Sequence, residues 1–142
     1  MSNYDNPLTI SYSLGLQDIA AAGAAFAIAV PSGKTRCRIE DIHVAVTETF
    51  NGVTTNAFIR IGTAADADRY AELDMQAAAA TDGYNIADAP AADTPLKDIG
   101  HGGSGVIDIG QEAITQLEVA TIANTGGTPA GIGHVTVVVS WW

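Results

Sequence analysis

The residues of this chain that could carry chemistry are few and scattered. His43 lies between Ile42 and Val44 in a β-like stretch, while His101 and His134 each follow a glycine in a turn-like setting. None of the three stands at the short helical or hairpin spacing that a zinc site requires. Asp66 and Asp68 repeat the alternate spacing with which a calcium loop begins, but Ala67, Arg69 and Ala71 occupy the positions where further oxygen ligands belong. That segment reads as a solvated acidic loop. "GHGGSG", residues 100–105, is glycine-rich yet has no lysine to reach a phosphate. No GxSxG elbow and no carboxylate pair stands out, so the chain reads as a non-enzyme without catalytic residues, metal or cofactor. Cys37 is the single cysteine, which excludes an intrachain disulfide and leaves a small buried thiol.

With chemistry absent, the candidates are residues that make contacts. Trp141 and Trp142 close the sequence on opposite faces of one strand, so both cannot enter the same core. One of them is expected to face outward, as a subunit contact or as a lid on the open end of the domain. Lys34, Arg36 and Arg38 alternate in "KTRCR" and would share one strand face as a basic stripe. Arg36, Arg38 and the outward-facing His43 join the two tryptophans as subunit-interface candidates. The opening residues 1–7 read as an arm, with Asn3, Tyr4 and Asp5 as candidates for touching a partner and Tyr4 as the anchor.

The elements that position these residues are strands. The 142 residues and 14.6 kDa are the size of one domain, which would bury roughly 70% of its unfolded surface. We divide it into the arm, 1–7, and a β domain, 8–142. Leu8, Ile10, Tyr12 and Leu14 alternate with Thr9, Ser11 and Ser13, and Phe26, Ile28 and Val30 continue that rhythm before the "PSGK" turn. Beyond it, Cys37 and Ile39 share one parity, but Ile42, Val44 and Val46 take the other, which implies a bulge or bend at Glu40 and Asp41. A strand bent in this way is expected to cross between sheets. "FNGVTTN" carries an Asn-Gly hairpin signal, and "TAADADRYAELDM" reads as a loop followed by a short strand. "GVIDIG", "AITQLEVATIAN" and "GHVTVVVSWW" supply three more strands, the last with Val135, Val137, Val139 and Trp141 on one face. Roughly seven to nine strands and no convincing helix give an all-β fold, a single-domain β-sandwich that is jelly-roll-like.

Charge narrows the partners. Six basic against sixteen acidic residues leave a formal charge of −10 and a pI near 4.3. Such a surface repels phosphate backbones and anionic bilayers, which excludes nucleic acid and membrane as partners. The opening "MSNYDNPLTI" lacks the positive region and apolar core of a signal peptide, and "AAAGAAFAIAV" is too short to span a bilayer. The expected setting is the cytoplasm.

"VPSGKTRCRIEDIHVAVTET", "NAFIRIGTAADADRYAELDM" and "GHVTVVVSWW" resemble segments of the head decoration, or cement, proteins of tailed bacteriophages, over most of residues 24–75 and 132–142. The resemblance implies a jelly-roll or sandwich subunit, commonly a homotrimer. It implies a place on the outer surface of the capsid at threefold or quasi-threefold positions, bound to the major capsid protein and reinforcing the shell. The particle would be assembled in the host cytoplasm. The other reading of the residues is a carbohydrate- or receptor-binding β module of a phage tail or fibre, which needs an aromatic platform. Tyr70, Tyr84 or Trp142 beside Asp82 or Asn85 would provide one.

Overall fold

A computed structural model describes residues 7–20, 23–51, 54–55, 57–75, 83–84, 96–98, 107–108 and 114–142. Among them the chain forms ten strands and no helix: β1 (Leu8–Asp18), β2 (Ala24–Ala29), β3 (Cys37–Asn51), β4 (Phe58–Thr63), β5 (Asp66–Asp74), β6 (Gly83–Tyr84), β7 (Leu96–Asp98), β8 (Ile107–Asp108), β9 (Gln116–Ile122) and β10 (Ala130–Trp141). One sheet runs β1-β10-β3-β6, with β8 also on β3; the other runs β2-β9-β4-β5-β7. Every pairing is antiparallel.

The pairs are nested. β1 pairs with β10, β2 with β9, β3 with β6 and β4 with β5. That is the pattern of one long hairpin rolled over itself, in which successive strands fall in opposite sheets except at the β4–β5 tip, and it makes the sandwich a jelly roll. The all-β sandwich read from the alternation is what forms.

Its core comes from the strand periodicity. Val135, Val137, Val139 and Trp141 of β10 are fully buried, as are Ile39, Ile42 and Val44 of β3 and Ile59 and Ile61 of β4. Each such side chain contributes about 1.5–3 kcal/mol when buried, and the small β-branched set lets two sheets pack with few aromatics.

The bulges explain the changes of face. Val138 is opposite Asp41 and Val139 opposite Ile39, so Glu40 is the extra residue that switches the buried parity of β3, as the sequence implied. β3 does not cross between sheets at this point, however; it stays paired with β10 on both sides of Glu40, because a one-residue bulge re-aims side chains without ending the ladder. A second bulge, in β1, had no signal in the apolar rhythm. Ser13 is opposite Thr136 and Gly15 opposite Val135, which leaves Leu14 extra. Gly15 adopts φ +73°, a conformation that favours glycine. Leu16 is thereby turned outward beside His134, and Ile19 inward to full burial.

Two further expectations are corrected. β3 and β4 lie in different sheets, so the segment after Asn51 is a crossover and not a hairpin. The hairpin is instead β4–β5, closed by Ala64 and Ala65, with Asp66 and Asp68 inside β5 and not in a loop. Three residues of β4, Ile61 to Thr63, face six of β5, Ala71 back to Asp66. The backbone of Asp66 and Ala67 folds so close over Gly62 that a Cβ there would collide with it.

Candidate interaction surface

The end of β10 is where the contact candidates converge. Trp141 is opposite Cys37 on β3 and Leu8 on β1, with its indole wholly buried and its Nε1–H donated to the Tyr12 hydroxyl at 3.0 Å. Trp141 is therefore a core residue with no surface to offer a neighbour: its parity continues the buried valines. Trp142 has the other parity and is half-buried. Its carbonyl accepts the backbone N–H groups of Thr35 and Arg36, each at 3.1 Å, and its own N–H is donated to the Arg36 carbonyl at 3.1 Å. The last residue is thus zipped to the entry of β3.

Over the Trp142 ring stands the Arg38 guanidinium, 5.8 Å from the centroid, with Arg38 also bonded through Nε and Nη2 to Glu40 Oε1 at 2.9 and 2.8 Å. The ion pair joins partly exposed side chains and is worth about 0–1 kcal/mol, so its main effect is to hold the guanidinium over the indole. Arg36 shares the outward parity of Arg38, with buried Cys37 between them on the opposite side. Lys34 belongs instead to the preceding turn, where its N–H bonds the Pro31 carbonyl at 3.0 Å. The expected stripe of three is a pair, Arg36 and Arg38, beside an aromatic ring.

His43 is exposed on the same outer sheet face, opposite Thr136, and His134 is exposed between Leu16 and Ala45. On β1 and β10 that face also carries Thr9, Ser11, Ser13, Thr136 and Ser140, with Thr9 Oγ1 and Ser140 Oγ 2.8 Å apart, and the apolar Leu16 and Val138. Among the described residues no group of three or more His, Cys, Asp or Glu could hold a metal ion, and no helix is long and apolar enough to cross a membrane.

At the far end of the same three strands, Asp18, Glu48, Pro129, Ala130 and Gly131 line a shallow cavity of about 230 Å³. Behind it Asn124, itself buried, donates Nδ2 to the carbonyls of Asn51 and Ala130 at 2.6 and 2.8 Å. Nothing in the sequence marked Asn124 in advance, because its role depends on a register pair, Asn51 with Ala130, set by strands far apart in the chain. The β4–β5 hairpin likewise creates a cross-strand pair not anticipated, Arg60 Nε to Glu72 Oε2 at 2.6 Å, with the Arg60 guanidinium 5.4 Å from the Phe58 ring centroid.

Other candidates divide by placement. Tyr70 is buried and cannot form a sugar platform. Asn3, Tyr4, Asp5, Asp82, Asn85, His101 and the glycine-rich segment 100–105 lie outside the described residues, as does the side chain of Tyr84.

The fold and its surface define a jelly-roll β-sandwich with a basic-aromatic corner on an acidic body. No protein-family model matches the chain, and no curated protein does. Among solved structures it is similar to a chain of the cyanophage Pam1 capsid asymmetric unit, at 13% identity and a TM-score of 0.36, with 99% of this chain and 89% of that chain covered.

Proposed function

We propose that the chain is a structural, non-enzymatic component of a tailed-phage particle, which binds the outside of the capsid and reinforces it as a homotrimer at threefold or quasi-threefold positions. The observation that carries this reading is where the decoration-protein resemblance falls. Residues 24–75 and 132–142 are β2 to β5 and β10, the strands that supply most of the buried core and both sheets. The likeness therefore follows the framework of the fold and not one surface loop. The major capsid protein is the partner, the outer surface of the virion the location, and the host cytoplasm the place of assembly.

Multivalency makes the role physically economical. Three copies held as one rigid body engage three shell subunits together, so contacts weak singly gain a factor of about 100–10,000 through effective concentration. The body's formal charge of −10 also keeps it off packaged nucleic acid.

The test is co-sedimentation with empty heads assembled without this chain, combined with mass measurement in solution. Saturable binding and a mass of three chains are the expected results. A monomer that leaves every head bare would overturn the proposal.

A further inference from the structure

Strand β1 lies at the edge of its sheet as the described residues form it. Among the described residues it pairs on one side only, with β10. Proteins commonly blunt such an edge with lysine, proline or an inward charge. From Leu8 to Gln17 β1 contains no charged residue and no proline, in a chain with twenty-two charged residues. Its bulge comes late, between Ser13 and Gly15, and leaves Leu8–Ser13 as a regular run.

The large exposed apolar side chains of the described residues, Leu8 at 43% and Leu16 at 55%, both lie on this strand. Behind it the sandwich is only partly closed. β1 is the edge of one sheet and β2 the edge of the other, and the inward residues of this margin, Ile10, Tyr12, Leu14, Phe26 and Val30, pack on the core while remaining partly exposed. A strand added beside β1 would gain backbone hydrogen bonds along its length, and every second side chain would fall over that apolar seam.

We propose that Leu8–Ser13 accepts an extended segment of a capsid subunit as an added strand of the β1-β10-β3 sheet. The segment has apolar residues at alternate positions and lysine or arginine at its flanks. Charge complementarity selects this occupant. A body of formal charge −10 attracts a strand with basic flanks over about one Debye length, roughly 8–10 Å, while the uncharged edge itself meets the neutral centre of that strand. This inference rests on the capsid-binding reading, and the experiment separates the two.

Hydrogen exchange is measured on the full chain, free and on empty heads assembled without it, together with the occupancy of Ile10→Pro and Ser11→Pro variants. Neighbouring N–H groups on a strand point to opposite edges, so one proline removes an outward donor and leaves the β10 ladder intact. The variant that melts like wild type is the informative one; if neither folds, the exchange data on the wild-type chain decide alone. The expected result is new protection of amides 8–13 on heads and a ten- to hundredfold loss of affinity in the folded variant, about that of one or two lost hydrogen bonds. Wild-type binding with β1 unprotected and the folded variant at full occupancy overturns the added strand and leaves the capsid role standing. Concentration-dependent protection of β1 in the free protein assigns the edge to a second copy and also overturns it. No binding by the wild type removes both readings.

Discussion

Trp141 gives its indole N–H to the hydroxyl of Tyr12 at 3.0 Å, joining the central strand β10 to the edge strand β1 across the inner face of their sheet. The donor is fully buried, whereas Tyr12 is half-buried. Replacing Tyr12 with phenylalanine keeps the ring and strands the donor. An orphaned buried N–H costs about 1–3 kcal/mol, so Tyr12→Phe is expected to unfold at correspondingly lower urea concentration with an unchanged denaturant slope. A midpoint equal to wild type would show that solvent takes over the bond.

The same phenol sets an alkaline limit. Burial pushes the Tyr12 pKa above its ordinary value of 10.0; the bond from Trp141 opposes the shift, and the Cys37 thiol nearby adds to it. The unfolded chain therefore loses this proton at a lower pH than the folded one. The contribution is fully present below about pH 10 and is lost as pH rises towards and through the folded-state value. Melting temperatures measured on both sides of pH 10 should fall more steeply for wild type than for Tyr12→Phe. Parallel curves would refute the assignment.

Gly62 sits where the β4–β5 ladder slips, beneath the carbonyl of Asp66 and the backbone of Ala67. A methyl group there meets main chain that cannot rotate away. Gly62→Ala is expected to lose about 1–3 kcal/mol or more, a thermal shift that calorimetry would resolve. The control is Gly33→Ala, which meets nothing within 4 Å and bears only the strain of its positive φ.

Much of this architecture is legible in the alternation of side chains, and what escapes does so for identifiable reasons. The parity switch at Glu40 is visible because apolar residues stand on both sides of it. The bulge at Leu14 is hidden, since Leu14 and Leu16 share a parity and the rhythm looks unbroken while Gly15 reverses the face. Asp66 and Asp68 look like a loop because acidic and alanine residues have low strand preference, yet the Gly62 slip lets β5 begin there. First-with-last pairing of strands is a long-range property that no local pattern encodes. At the surface, the opposed faces of Trp141 and Trp142 follow from periodicity alone, but which one is covered depends on β1 and β3 on either side.

Asn124 clamps the end of the β3–β10 ladder by donating to the Asn51 and Ala130 carbonyls. Asn124→Asp keeps the shape and removes both donors, placing a carboxylate against two carbonyl oxygens. It is expected to cost about 2–4 kcal/mol, more than Asn124→Ala, in chemical denaturation above pH 6. Lowering the pH protonates the new carboxyl and restores one donor, so the gap between the Asp variant and wild type should narrow in acid. A gap independent of pH would mean that the loss is one of packing.

Trp142 tests the proposed trimer directly. Its backbone bonds to Thr35 and Arg36 hold the chain end whatever side chain is present, so Trp142→Ala is expected to leave the fold intact with a loss of about 1–2 kcal/mol from reduced apolar burial. Self-association should suffer far more, because Trp and Arg are among the residue types most enriched at interface hot spots and here the Arg38 guanidinium stands over the Trp142 ring. Sedimentation equilibrium is the measurement: wild type at a mass of three chains, with Trp142→Ala dissociating at concentrations at least tenfold higher than wild type does. Arg38→Ala should shift the same way to a smaller extent, since it leaves the ring in place. A trimer with unchanged dissociation in both variants would place the subunit contact elsewhere and leave this corner free to face the shell.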